Sequence, residues 1–354
     1  MDNDGVFRPT KKGKKFKEFK TAAKEWADGK HEAVTEKYGD ISTWDTSEIT
    51  DMSKLFKDKH KFNGDISNWN VSNVTNMQEM FSNAQAFNQP IGYWNVSKVT
   101  SMFNMFHDAK AFNNGDEPGV SNTPLNWNVS EVTIMNGMFW GAHSFNQDIS
   151  AWDVSEVTDM KRMFESATTF NQDIGKWKVS KVTDMGRMFA YTDAFNQDIS
   201  AWNVSNVTHV GSMFWSAKSF NKSIEEWDVS KISQAQYNGT NDMETMFKYS
   251  GYRHPKPDIE RSKQRNRDRQ HLRGVQIAAR NSLPDHRVME ELGLRESVPS
   301  ALSKRGETEM HPRARQVLSW EEGQGPQISE WLGGKRKTKK RKTKKRKTKK
   351  SNRK

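Results

Sequence analysis

Tryptophan recurs along the middle of this 354-residue chain with a fixed period. Trp44, Trp69, Trp94, Trp127, Trp152, Trp177, Trp202 and Trp227 are spaced 25, 25, 33, 25, 25, 25 and 25 residues apart. The long interval carries an eight-residue insertion around NGDEPGVSNTPL, after Phe112. A second insertion of eight, QAQYNGTN, separates Trp227 from Phe247 by 20 residues instead of 12. Self-similarity at a period of 20–50 residues is the mark of a stacked-repeat architecture, because no single copy can bury its own apolar face.

The repeat reads W-[DN]-V-S-x-V-T-[DN]-M-x-x-M-F-x-x-A-x-x-F-N-Q-D-I-S-x, with one clean copy running from Trp152. Met160, Met163, Phe164 and Ala167 recur at i, i+3, i+4 and i+7, which predicts one face of a short helix. Thr158 stands where an N-cap belongs, and Asp159 in the first turn would meet the positive helix end. Phe170 and Ile174 are an even number apart, so a short strand would point both inward. The expected fold is therefore an α/β repeat solenoid of about eight 25-residue copies, each a short strand plus a short helix.

The pattern WDVSxVTDMxxMFxxAxxFNQDIS resembles the BspA-like leucine-rich-repeat surface-protein family, also known as a mycoplasma-type repeat domain of unknown function. The resemblance covers about Lys30 to Tyr249. It implies a right-handed, leucine-rich-repeat-like stack, a role in surface display or protein binding, and no enzymatic activity. Similar repeats occur in bacterial surface proteins, some protists and giant viruses.

The stack needs closing at its ends. Phe19, Ala22, Ala23 and Trp26 share helical spacing, so residues 14–40 are expected to form a helical N-terminal cap after a disordered stretch 1–13, with the repeats over 41–252. Residues 253–334 read as a polar linker region. Ile259 to Arg280 has helical composition but no apolar stripe, so mobile, partly disordered helices are expected. The last twenty residues hold fifteen Lys or Arg and no acid, so the net charge of +12 becomes −3 without them. Residues 41–250 carry 16 basic and 24 acidic side chains. A mildly acidic body thus precedes a polybasic, disordered tail. Lys335, Arg336, Lys337, Lys339, Lys340, Arg341 and Lys342 open that tail and read as a polyanion-binding or nuclear-import segment.

Cysteine is absent, which removes disulfides, thiolate metal sites and cysteine nucleophiles. The nine His show no HExxH or close pair, and no glycine-rich phosphate loop occurs. No metal, no cofactor and no enzymatic activity are expected. Asn63, Asn88, Asn113, Asn146, Asn171, Asn196 and Asn221 each follow the repeat Phe, where an asparagine would satisfy backbone groups of adjoining copies. Asp148, Asp173 and Asp198 form a column read as solvated surface groups, or as helix and turn caps, rather than as a divalent-cation site. Eight N-x-[ST] sequons follow from the repeat and are not expected to be glycosylated.

The position after the Met-Phe pair holds Lys57, Ser82, His107, Trp140, Glu165, Ala190, Trp215 and Lys248. Such a mixture does not suit a core, so the position is expected at the rim or outside. Trp140 and Trp215 become candidate protein-binding aromatics. The expected function is a monomeric, non-enzymatic protein-interaction solenoid whose tail contacts nucleic acid or directs nuclear targeting. The rival readings are a surface adhesin or virion component, and a protein that mainly binds nucleic acid. The charged start MDNDGVFRPTKKGKKFKEFK lacks a secretory apolar run and no membrane span is visible. The expected location is intracellular: nucleus, virus factory or virion.

Overall fold

The computed structural model describes residues 6–232 and 242–281, with side chains to residue 273. The chain divides into two compact units, Met1–Arg267 and Asp268–Lys354, and of the second only residues 268–281 are described. The helices are α1 (Gly13–Ala27), α2 (His31–Tyr38), the four-residue α3 (Asp242–Thr245) and α4 (Ile259–Asn281), with a 3-10 turn at Ile41–Thr43. None of them is long and apolar enough to cross a membrane.

The repeats bury a continuous core. The eight repeat tryptophans are 2–5% exposed, and the repeat Met, Phe and Ile side chains are buried with them. Equivalent rings stack from copy to copy. Phe139, Phe164 and Phe189 have centroids 5.8 and 5.7 Å apart, and Phe145, Phe170 and Phe195 follow at 5.8 and 6.0 Å. Inside one copy Phe164 and Phe170 lie 4.0 Å apart. Each of the eight repeat indoles also has its polar edge satisfied: Trp177 Nε1 donates to the Ile149 carbonyl and Trp202 Nε1 to that of Ile174. A buried indole N–H without such a partner would cost its full desolvation.

The expected α/β solenoid of strand-plus-helix copies is not what forms. No helix covers Met160–Ala167. Its N–H groups alternate in direction. Those of Met160, Arg162, Phe164 and Ser166 donate to the carbonyls of Asp184, Gly186, Met188 and Ala190 in the following copy. Those of Met163, Glu165 and Ala167 donate three residues back, to Met160, Arg162 and Phe164. Arg162 and Ser166 accordingly take left-handed backbone, at φ 56° and 60°. Among the described residues no strand forms either. The parallel contacts are isolated bridges running from Asp51 through Asn76, Ser101, Ile134, Asp159 and Asp184 to His209. Among the described residues the copies are built of turns and single bridges, α3 apart.

The reason is backbone satisfaction. A helix of eight residues is marginal alone and leaves orphan groups at both ends. Turning every second N–H toward the adjoining copy pairs all of them. Both conformations place Met160, Met163, Phe164 and Ala167 inside, so the apolar spacing cannot tell them apart. Thr158, expected as an N-cap, instead donates its N–H and its hydroxyl to the Thr133 carbonyl. Asp159 accepts the Lys161 N–H at 2.9 Å in a local turn.

At the N-terminal end α1 buries Phe19, Ala22 and Ala23, with the Phe19 ring 6.0 Å from Trp44 and 5.7 Å from Trp69. Gly64 stands where later copies carry Gln89, Gln147 and Gln172. A Cβ there would lie 2.5 Å from Trp26 Cζ3, so the first copy gives up a side chain to admit the α1 indole. The expected disorder of residues 1–13 does not hold at Phe7. That ring is buried 4.6 Å from Tyr38 and 5.2 Å from Trp44, and its carbonyl accepts the Asp45 N–H.

At the other end Tyr252 takes the place of the repeat Phe, 6.0 Å from Phe220. The first turns of α4 then meet the last copy through polar contacts. Buried Ser262 donates to the Trp227 carbonyl and accepts the Val229 N–H. Asn266 donates to Asp228 and Ser230. The expectations for residues 282–334 and for the basic tail 335–354, Lys335 to Lys342 included, lie outside the described residues.

Candidate functional site

Most repeated polar letters are used internally. Each repeat asparagine accepts the N–H of its successor: Asn63 Oδ1 takes Asn88, Asn88 takes Asn113, Asn113 takes Asn146, and so on to Asn221, which takes Arg253. Gln172 and Gln197 donate side-chain amides to the Asn146 and Asn171 carbonyls. Asp148, Asp173 and Asp198 accept the N–H groups of Ser150, Gly175 and Ser200, and those of Ser72, Ser97 and Ser130 go to Asn70, Asn95 and Asn128. These side chains cap turns. The first insertion is held the same way: Asp116 accepts from Asn122, Thr123 and Gln147, and burial of Asn113 and Gln147 closes it onto the stack.

One row of side chains is not absorbed into this ladder. It follows the residues around the Met-Phe pair from copy to copy. Lys54 and Lys57 both pair with Glu79, which has only 14% of its side chain exposed. Ser82 faces His107 Nδ1, and the His107 ring lies 4.3 Å from Trp140. The Arg162 guanidinium sits 4.5 Å from the centroid of the same indole. Arg162 also reaches Glu165 at 3.6 Å, and Arg187 grips that carboxylate from Nε and Nη2, the closest contact being 2.6 Å. The row continues through Tyr191, whose N–H donates to the Trp215 carbonyl. It ends where Lys248 Nζ lies 5.0 Å from the Trp215 ring and 5.2 Å from Tyr249.

Trp140 and Trp215 are therefore half-buried members of this row. The position after the Met-Phe pair is not uniformly outside: Ser82, Glu165 and Ala190 are buried. A carboxylate can be buried when paired and hydrogen-bonded, and Glu165 has two guanidiniums. Sequence reading passed over Arg162, Arg187, Tyr191 and Tyr249. The available signal was that Arg162 and Arg187 occupy the same repeat position, 25 residues apart, flanking the one acid in the post-Phe column.

The charges of the row perturb one another. Burial raises the Glu79 carboxyl, but Lys57 and Lys54 hold it below its ordinary value. The bond to Glu165 raises the Arg187 guanidinium further. Burial pushes the His107 imidazole below its usual 6.5, with Lys57 and Arg162 pushing the same way and Asp108 and Glu79 opposing. A histidine depressed in the folded state binds fewer protons there than when unfolded. Its contribution is complete above pH 6.5 and is lost as pH falls toward the folded value. Between about pH 7 and pH 5 the wild type should thus lose more stability than His107→Gln. Urea midpoints at both pH values measure this, and parallel losses in the two chains would refute it.

A cleft of about 600 Å³ lies between the α1–α2 turn and residues 58–64, but Lys59 and Asp28 on its rim bond each other. Among the described residues no group of three or more His, Asp or Glu could hold a metal ion.

No curated protein and no solved structure matches the chain. A family model matches three times in overlapping stretches, residues 27–121, 116–227 and 167–252, which together take in the whole run of tryptophan-marked copies. The chain therefore belongs to the repeat family described as Mycoplasma protein of unknown function, DUF285.

Proposed function

We propose that this protein is a non-enzymatic interaction protein whose row from Lys54 to Lys248 binds a protein partner. The polybasic segment from Lys335 serves nucleic-acid contact or nuclear targeting. The supporting observation is the division of labour inside the repeat. The Trp, Met, Phe, Asn and Thr columns are spent on core and ladder, whereas the row varies from copy to copy and carries Trp140, Trp215, Tyr191 and Tyr249. Half-buried aromatics beside arginine are the residue types that dominate binding energies at protein interfaces. The likeness of the repeat to BspA-like surface proteins points the same way.

The test is affinity purification from nuclease-treated extract with three full-length chains: wild type, Trp140→Ala/Trp215→Ala, and a chain with every Lys and Arg of 335–354 changed to Gln. The expected result is a partner recovered by wild type and the tail variant, and reduced about tenfold or more by the double tryptophan variant at an unchanged melting temperature. Recovery that depends only on the tail would overturn the reading.

A further inference from the structure

We propose that the outer face of α1, with the residues leading into it, binds the phosphate backbone of a nucleic-acid duplex, a contact separate from the basic tail. From Arg8 to Lys24 the sequence holds eight bases and a single acid, Glu18. Arg8 meets Asp45, Lys14 meets Glu18 and Lys20 meets Asp51. Among the described residues Lys11, Lys12, Lys17 and Lys24 have no ion-pair partner. The surplus survives a strict count: eight bases against Glu18, Asp45, Asp51 and the preceding Asp2 and Asp4 leave three positive charges. The acids at the far end of α1 are taken elsewhere, Glu25 by Lys30 and Asp28 by Lys59.

The exposed composition selects the occupant. Every exposed residue between Arg8 and Lys24 is Lys, Thr or Gly. With no exposed aromatic the patch gives bases nothing to stack on, which single-strand sites use. With no exposed apolar side chain it gives nothing to bury in a bilayer or in the centre of a protein interface. Ammonium and hydroxyl groups are what meets phosphate oxygens. Lys14, Lys17, Thr21 and Lys24 recur at i, i+3, i+7 and i+10, opposite Phe19, Ala22 and Ala23, whose burial fixes the helix on the stack. From Lys14 to Lys24 the stripe rises about 15 Å. One strand of a duplex passes about four phosphates in that length. The lysines do not serve the helix itself, since Lys14 and Lys15 stand in a first turn where no acid answers the positive end of the dipole. Over residues 41–250 acids outnumber bases by 24 to 16, so the field of the repeats turns an approaching duplex toward this end.

The experiment follows the fluorescence anisotropy of a short, labelled DNA duplex of mixed sequence. It uses the full-length chain with every Lys and Arg of 335–354 changed to Gln, so that the tail cannot contribute. This chain is expected to bind the duplex at low salt. Adding Lys11→Gln, Lys12→Gln, Lys17→Gln and Lys24→Gln should weaken binding about tenfold or more and lower the slope of log affinity against log salt by about 3–4. Lys98→Gln, Lys176→Gln, Lys178→Gln and Lys222→Gln, an equal charge change elsewhere on the body, should leave both nearly unchanged. Acetylation of the tail-neutral chain, mapped by mass spectrometry, needs no further substitution. There the duplex should shield Lys17 and Lys24 but not Lys98 and Lys176. No duplex binding by the tail-neutral chain, equal losses in the two fourfold variants, or no shielding of Lys17 and Lys24 would overturn the proposal. So would tighter binding to oligothymidylate, or to vesicles containing phosphatidylserine, than to the duplex.

Discussion

Phe164→Ala is expected to lower the stability of the first unit by about 3–5 kcal/mol, read from urea denaturation. The ring is fully buried and has four others around it: Phe139 at 5.8 Å, Phe170 at 4.0 Å, Phe189 at 5.7 Å and Trp177 at 6.3 Å. Truncation therefore removes contacts within its own copy and with the copies on both sides. The surrounding backbone cannot collapse into the hole, because its alternate N–H groups are fastened to the next copy. Phe247→Ala provides the comparison. That ring has Phe214 at 5.5 Å and Tyr252 at 4.1 Å, with no repeat ring beyond it, and is 7% exposed. It should cost less. Equal losses at the two positions, or a loss below about 1.5 kcal/mol at Phe164, would mean that the stacked columns do not carry the core's stability.

Asn113→Ala is expected to cost about 3 kcal/mol, against about 1 kcal/mol for Asn196→Ala, by the same measurement. Both side chains accept the next asparagine's N–H. Asn113 is fully buried and also donates its amide to the Glu117 and Val120 carbonyls, so it ties the first insertion to the ladder. Its removal strands several buried polar groups, whereas water can reach those around the half-buried Asn196. Hydrogen exchange should show the Asn146 amide losing protection in the Asn113 variant. Unchanged protection there would show that some other acceptor serves that N–H.

The two sets of residues differ in how readable they were. The repeat, its length and its two insertions followed from tryptophan spacing alone. The burial of Trp, Met and Phe followed from a copy's inability to cover itself. The asparagine ladder followed as well, since a polar residue at an inward position needs partners and another copy is the nearest source. The row was half legible: Trp140 and Trp215 stood out by type, but their setting did not. Arg162, Glu165 and Arg187 look like ordinary surface charges until two copies are brought together, because the pairing lies between residues 22 apart in sequence.

The amino-acid order by itself determined which side chains face inward, since Met160, Met163, Phe164 and Ala167 occupy one side in any compact conformation of that segment. Only the tertiary structure decided the path of the backbone through them. A lone segment has its own carbonyls as the only acceptors, and its spacing then spells a helix. A segment lying against a second copy has another row of carbonyls within reach, as Met160 finds at Asp184 and Phe164 at Met188. The left-handed φ at Arg162 and Ser166 turns every second N–H outward to that row. The strain of those two residues is offset by pairing the backbone on both sides, a gain that exists only once neighbouring copies have come together.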